Sequence, residues 1–288
     1  MHFGDQLAHA IAKTGPLCVG LDPHSGRIPA LFGEGLPGVE AFFMAVLDRL
    51  AGKASIIKPQ IAFFERHGPD GLALMARLCA HAKTRKLLVL MDAKRGDIGS
   101  TASAYAAAYL GPNAWVWCDA ITVNPYMGMD TLEPFLSVAD DNDKGVIVLV
   151  RTSNPGAADF EDLMIEKNTL YQHIAQTLAP FARERKGPQS GWSSLMVVVG
   201  ATAPHEAQRL RHILPHSPFL VPGYGAQGGS AKDAVIAARD GQGVVVNSSR
   251  GVLYPQNADQ ATTLKDWETL FDAALARTHK DIMRALEG

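Results

Sequence analysis

Residues 87–101 read LLVLMDAKRGDIGST. Leu87 to Met91 form a water-avoiding run of strand length, after which Asp92, Lys94, Arg95 and Asp97 follow closely and Gly99 to Thr101 open a helical pattern. Burying an unpaired charge is costly, so these groups are either solvated or set facing one another for a use. Side chains at i and i+2 share a strand face, which puts Asp92 and Lys94 together, with Asp97 where the next helix begins. The stretch reads as one strand–turn–helix unit with its charges at the strand's C-terminal end.

Seven further short runs bounded by Gly, Pro or Asp repeat the pattern, at 17–21, 54–58, 119–123, 145–150, 194–199, 219–221 and 243–247, making eight with 87–92. Helical periodicity fills the intervals, at 39–50, 71–84, 100–110, 129–138, 160–184, 204–213, 231–239 and 258–286. Most of the strands are apolar throughout, as in a parallel sheet covered by helices. Eight such units predict an α/β fold, a closed (β/α)8 TIM barrel, as a single domain over residues 1–288 with 3–14 as an extra N-terminal helix across its bottom. A doubly wound open sheet is the alternative, but it favours a GxGxxG turn after the first strand, and residues 20–26 read GLDPHSG. No linker divides the chain, and RERKGPQSGW at 183–192 is its most loop-like piece.

With 47% hydrophobic and 19% charged residues, the chain can bury a sizeable core. A net charge of −2 with interspersed signs argues against nucleic acid or an anionic membrane as partner. No apolar stretch reaches the roughly 18 residues of a membrane span, and the amphipathic start, with Asp5, His9 and Lys13, is unlike a secretory leader, so a cytoplasmic location is expected. Cys18, Cys79 and Cys118 are odd in number, far apart and set among apolar residues, which fits buried small hydrophobes. His212 and His216 have metal-like spacing, but Pro215 breaks the helix that would align them.

Barrel chemistry sits at the C-terminal ends of the strands. Those ends carry Asp22, Lys58, Asp92 and Lys94, then Asn124, then Thr152 and Ser153, then PGYGAQGG at 222–229 and NSSRG at 247–251. For residues 92–97 alone, a solvated strand end with a capping Asp is the plain alternative. Convergence of Asp22, Lys58, Asp92, Lys94 and Asp97 on one rim favours a compensated charge network instead. The glycines of 222–229 let backbone N–H groups approach an anion, Gln227 adds an amide and Arg250 a two-pronged donor, together a candidate phosphate site.

DAKRGDIGSTA at 92–102 is similar to the Asp-x-Lys-x-x-Asp signature of the orotidine 5′-phosphate decarboxylases, in their longer-chain, type 2 subgroup. LDP at 21–23, KPQIAFFE at 58–65, RTSNPG at 151–156, VVGAT at 198–202, PGYGAQGG and NSSRG extend the resemblance over nearly the whole chain. The resemblance implies a homodimeric barrel, without metal or cofactor, that converts orotidine 5′-monophosphate to UMP and CO2. It implies Lys94 as proton donor beside Asp92, with Asp97 and Thr101 reaching the partner subunit's site. It further implies ribose contacts from Asp22 and Lys58, with Lys58 tying the charges together, a pyrimidine contact from Ser153 and phosphate contacts from Gln227 and Arg250.

Three rivals share parts of this pattern. A Mg2+-dependent sugar-phosphate barrel would place an acidic ligand where Lys58 stands, and a cation there repels the metal. An aldolase using Lys58 or Lys94 as a Schiff base needs a depressed lysine pKa, whereas flanking aspartates raise it. A catalytically silent, phosphate-binding barrel would be expected to have lost a member of the charged set, and none is missing.

Overall fold

The computed structural model describes residues 1–24 and 26–288. Eight strands close on themselves: β1 (Leu17–Leu21), β2 (Ile56–Pro59), β3 (Leu88–Arg95), β4 (Ala120–Val123), β5 (Gly145–Arg151), β6 (Leu195–Val199), β7 (Phe219–Val221) and β8 (Val244–Ser248). Every neighbouring pair is parallel and β8 pairs with β1, so the closed barrel stands and the open sheet does not. The main helices are α1 (Phe3–Thr14), α2 (Gly35–Leu50), α3 (Gly68–Thr84), α4 (Gly99–Leu110), α5 (Glu133–Asp141), α6 (Leu170–Glu184), α7 (Pro204–Ile213), α8 (Ala231–Val235) and α9 (Leu264–Glu287).

Strand periodicity divides the core into two layers. Leu17, Val19 and Leu21 of β1, Val146 and Val148 of β5 and Val244 and Val246 of β8 point outward to the helices, while Cys18, Ile147 and Val245 point into the barrel. Phe3, Leu7 and Ile11 of α1 join the inner layer from below, where a side chain at Gly145 would collide with the Phe3 ring. The lower barrel is therefore a packed plug. The loop at 183–192 completes this floor. Asp5 on α1 accepts hydrogen bonds from the Ser190 amide at 2.8 Å and its hydroxyl at 2.6 Å, and Trp192 packs where a Cβ on Gly243 would intrude.

Three helical expectations need correction. The expected helix 160–184 begins only at Leu170. Before it the chain makes a short turn at Ala157–Phe160 and a hairpin of Met164–Ile165 and Asn168–Thr169, with Glu166 left-handed at φ 55°; a Thr169–Gln172 capping box then starts α6. The expected helix 231–239 stops at Val235. The expected helix 258–286 splits, because the Thr263 side chain caps the Asp266 amide and starts α9 there. None of these lies on a barrel strand. Cys18, Cys79 and Cys118 are free and buried, as expected.

Candidate active site

The inward parity of each strand climbs from apolar plug to polar rim. Cys18 is followed two residues at a time by Gly20 and Asp22, Ile56 by Lys58 and Gln60, Leu90 by Asp92, Ala120 by Thr122, and Val245 by Asn247 and Ser249. These polar residues line one cavity of about 350 Å³ over the C-terminal ends of the strands. Its other walls include His24, Phe63, Lys94, Thr152, Ser153, Tyr224, Gln227 and Arg250.

The charged floor is tightly connected. Lys58 Nζ lies 2.8 Å from Asp92 Oδ2 and Lys94 Nζ lies 2.5 Å from Asp92 Oδ1. Burial alone would raise the Asp92 carboxyl, but the two ammonium groups more than offset it and bring it down to about 2. Burial would likewise depress the Lys58 ammonium, yet Asp92 and Asp22 hold it above its ordinary value. Both groups are therefore charged at neutral pH.

Asp92 and Lys94 keep the alternation expected of a strand, with Ala93 between them turned to the outer layer, although the pairing with β4 is irregular here. Leu90 and Met91 pair with Ala120 and Ile121, but the next pair is Arg95 with Val123, so Asp92, Ala93 and Lys94 all stand opposite Thr122. This is a bulge, a device that re-aims side chains beside active sites. Lys94 is left-handed within it, at φ 48°.

The opposite rim is built on loops. Arg250 Nη2 lies 3.4 Å from the Ala226 carbonyl, and Gln227 stands beside them on the cavity wall. Gly223 has φ 98°, and a Cβ there would sit 3.2 Å from Gln227 Oε1 and 3.3 Å from Ser153 Cβ, so this position requires glycine for both conformation and space. Glu161 secures the neighbouring wall, accepting from the Thr152 amide at 3.0 Å and its hydroxyl at 2.6 Å.

Of the residues singled out in the sequence, Asp22, Lys58, Asp92, Lys94, Ser153, Gln227 and Arg250 line this cavity, while Asp97 and Thr101 do not. Asp97 Oδ1 accepts the Ile98 amide at 2.8 Å, and Thr101 is exposed in the first turn of α4. Asn124 is also outside, its Oδ1 accepting the Tyr126 amide at 3.0 Å; the inward polar residue of β4 is Thr122, two positions earlier. Thr122 escaped the sequence reading, and Gln60, Asn247 and Ser249 were quoted there only within motifs and given no role, although counting by two up each strand reaches all four. Asp22 Oδ1 and Asn247 Oδ1 are buried without a hydrogen-bond partner among the described residues. No cluster of three or more metal-ligating His, Cys, Asp or Glu side chains occurs among the described residues, and none of their helices is long and apolar enough to cross a membrane.

The family model described as orotidine 5′-phosphate decarboxylase / HUMPS family matches residues 15–264. The chain belongs to this family. Among curated proteins, the orotidine 5′-phosphate decarboxylase of Rhodopirellula baltica is 42% identical, covering 96% of this chain and 97% of its own. That of Caldicellulosiruptor bescii is 36% identical over 88% and 90%. A crystal structure from Streptomyces avermitilis has a TM-score of 0.85 at 33% identity, covering 100% of this chain and 96% of that one. Leishmania donovani OMP decarboxylase gives 0.76 at 31% identity with both chains covered in full. The orotidine 5′-phosphate decarboxylase family thus agrees with the closed barrel and with the motifs that line its cavity.

Proposed function

We propose that this chain converts orotidine 5′-monophosphate to UMP and CO2, the final step of de novo UMP synthesis, as a carboxy-lyase with Lys94 as proton donor. The observation that carries the reading is the Lys58–Asp92–Lys94 cluster on the floor of a cavity whose far rim holds Gln227 and Arg250. Membership of the family and the names of the relatives support it.

Loss of CO2 from C6 of the pyrimidine leaves an electron pair in the ring plane, where the π system cannot delocalise it. Fixed positive charge is the remaining means of stabilisation. An ammonium about 4 Å from that carbon contributes about 4 kcal/mol at an effective dielectric of about 20. The contribution favours the transition state because charge moves from carboxylate to carbon as the bond breaks. Lys94 then gives a proton to C6. Asp92 holds the Lys94 ammonium in place at 2.5 Å and faces the departing carboxylate.

Asp22, whose buried Oδ1 has no hydrogen-bond partner among the described residues, and Lys58 would hold the ribose hydroxyls, while Ser153 would meet the pyrimidine. Gln227 and Arg250 would hold the phosphate, whose binding energy goes into ordering the site. The reading needs neither metal nor cofactor. The buried, free thiols suit a reducing compartment such as the cytoplasm.

The reading includes a homodimer in which Asp97 and Thr101 complete the partner's site. Their position off the cavity supports it, as do the exposed apolar side chains of Ile98, Tyr126 and Met127 nearby in sequence or space. The test is the ultraviolet absorbance of orotidine 5′-monophosphate with a chelator present: a fall on adding enzyme is expected, and unchanged absorbance would overturn the reading. Mixing inactive Lys94→Ala and Asp97→Ala chains should restore some activity through hybrid sites; verified hybrids that gain none would place the whole site in one subunit.

A further inference from the structure

We infer that Thr122 is a positioning residue for this chemistry: its hydroxyl clamps the β3 bulge and so aims Asp92 and Lys94 at one point. The choice of assay rests on the decarboxylase reading; the clamp itself rests on geometry. With three residues of β3 opposite one of β4, the regular ladder is interrupted and the amides of Ala93 and Lys94 turn to a side chain for their acceptor. Thr122 Oγ1 lies 3.0 Å from the Ala93 nitrogen and 2.8 Å from the Lys94 nitrogen, and accepts from both. As a donor the hydroxyl has Asp92 Oδ1 within reach at 3.2 Å and the Met91 carbonyl at 3.5 Å. One hydroxyl has two lone pairs and one proton, and all three are used.

The clamp also explains how an unfavourable backbone persists. Lys94 has a φ that non-glycine residues adopt uncommonly, and such a conformation lasts only where its surroundings over-determine it. Thr122 is 1% exposed, so no bulk water replaces its hydroxyl. On the other side of the same strand, the Ile61 amide donates to the Asp92 carbonyl at 3.2 Å. The bulge is thus held from β4 and from the turn that follows β2, and the Lys94 amide takes the Thr122 hydroxyl as an acceptor. Because Thr122 also lines the cavity, direct contact with the substrate is the competing role, and it would appear in KM rather than kcat.

Thr122→Val keeps the shape and removes the hydroxyl; Thr122→Ser keeps the hydroxyl. A displacement of about 1 Å at a reacting group costs about a hundredfold in rate, so Val should lower kcat for orotidine 5′-monophosphate by about that factor while KM changes by less than about threefold. Ser should recover most of kcat. Amide exchange in the folded proteins gives an independent reading: the Ala93 and Lys94 amides should stay protected in wild type and Ser and exchange faster in Val. If Val fails to fold, Thr122→Ala carries the same comparison. A folded Val or Ala variant with wild-type kcat and unchanged amide protection, a Ser variant as slow as Val, or a loss confined to KM would overturn the inference. An inactive wild type would instead defeat the decarboxylase reading, and amide exchange would still decide the clamp.

Discussion

At one end of the cavity, the functional side chains stand on or beside strands and include the buried pair Lys58, 6% exposed, and Asp92, 8% exposed. At the other, Gln227 and Arg250 are exposed, and the loop carrying Gln227 contains three left-handed glycines, Gly223, Gly225 and Gly228. The difference matches what each end is asked to do in the proposed reaction. Stabilising charge on one carbon requires groups fixed before the substrate arrives, which rigid strands and a low-dielectric setting provide. Gripping a phosphate requires donors that can approach and close around it, which glycine-rich loops provide. Lys94 belongs to the first end but is only half covered, its side chain 48% exposed, so its pair with Asp92 contributes less to stability than the buried Lys58 pair.

Three perturbations separate the ends, in falling order of expected energy. Lys58→Met should destabilise the fold by about 3 kcal/mol, near the low end for breaking a buried ion pair because Lys94 still accompanies Asp92. Urea unfolding would measure this, and a change below about 1 kcal/mol would mean that the floor is not held by charge. Arg250→Ala should leave stability nearly unchanged and raise KM for orotidine 5′-monophosphate by about ten- to a hundredfold, the worth of a lost charge-assisted contact. Steady-state kinetics on the phosphate-free nucleoside provides the control; an equal loss there would remove Arg250 from phosphate recognition.

Acid should also strike the strand end. The Asp92 carboxyl is depressed from 3.8 to about 2 in the fold, so its contribution is present above pH 3.8 and is lost as pH falls toward about 2. The difference amounts to about 2 kcal/mol. The stability gap between wild type and Asp92→Asn should narrow by that amount between pH 5 and about pH 2, and a constant gap would contradict the pairing.

How much of this was legible in the sequence depends on which physical rule governed each residue. Strand spacing and apolar composition were enough for the eight barrel strands, because burial on both faces leaves a continuous pattern. The meeting of Asp92 and Lys94 was legible from alternation, which holds with Ala93 turned outward between them, whereas the bulge opposite Thr122 depends on a register between strands that no local pattern carries. Thr122, Asn247 and Ser249 could have been reached by extending each strand's inward parity, whereas choosing the last polar residue before a turn led to Asn124 instead. The hairpin before α6 was hidden because Met164 and Ile165, both exposed, imitate a buried face. Gln227 and Arg250 were found through residue chemistry, since glycines beside an amide and a guanidinium keep their meaning whatever the backbone does.

The division between a chemical end and a binding end is tested most directly by single-turnover conversion with Lys94→Ala in excess over orotidine 5′-monophosphate. The variant should remain folded and bind the substrate, yet form no UMP over a period in which the wild-type enzyme converts all of it. UMP formation at the wild-type rate would contradict the assignment of the chemistry to the strand-borne charges.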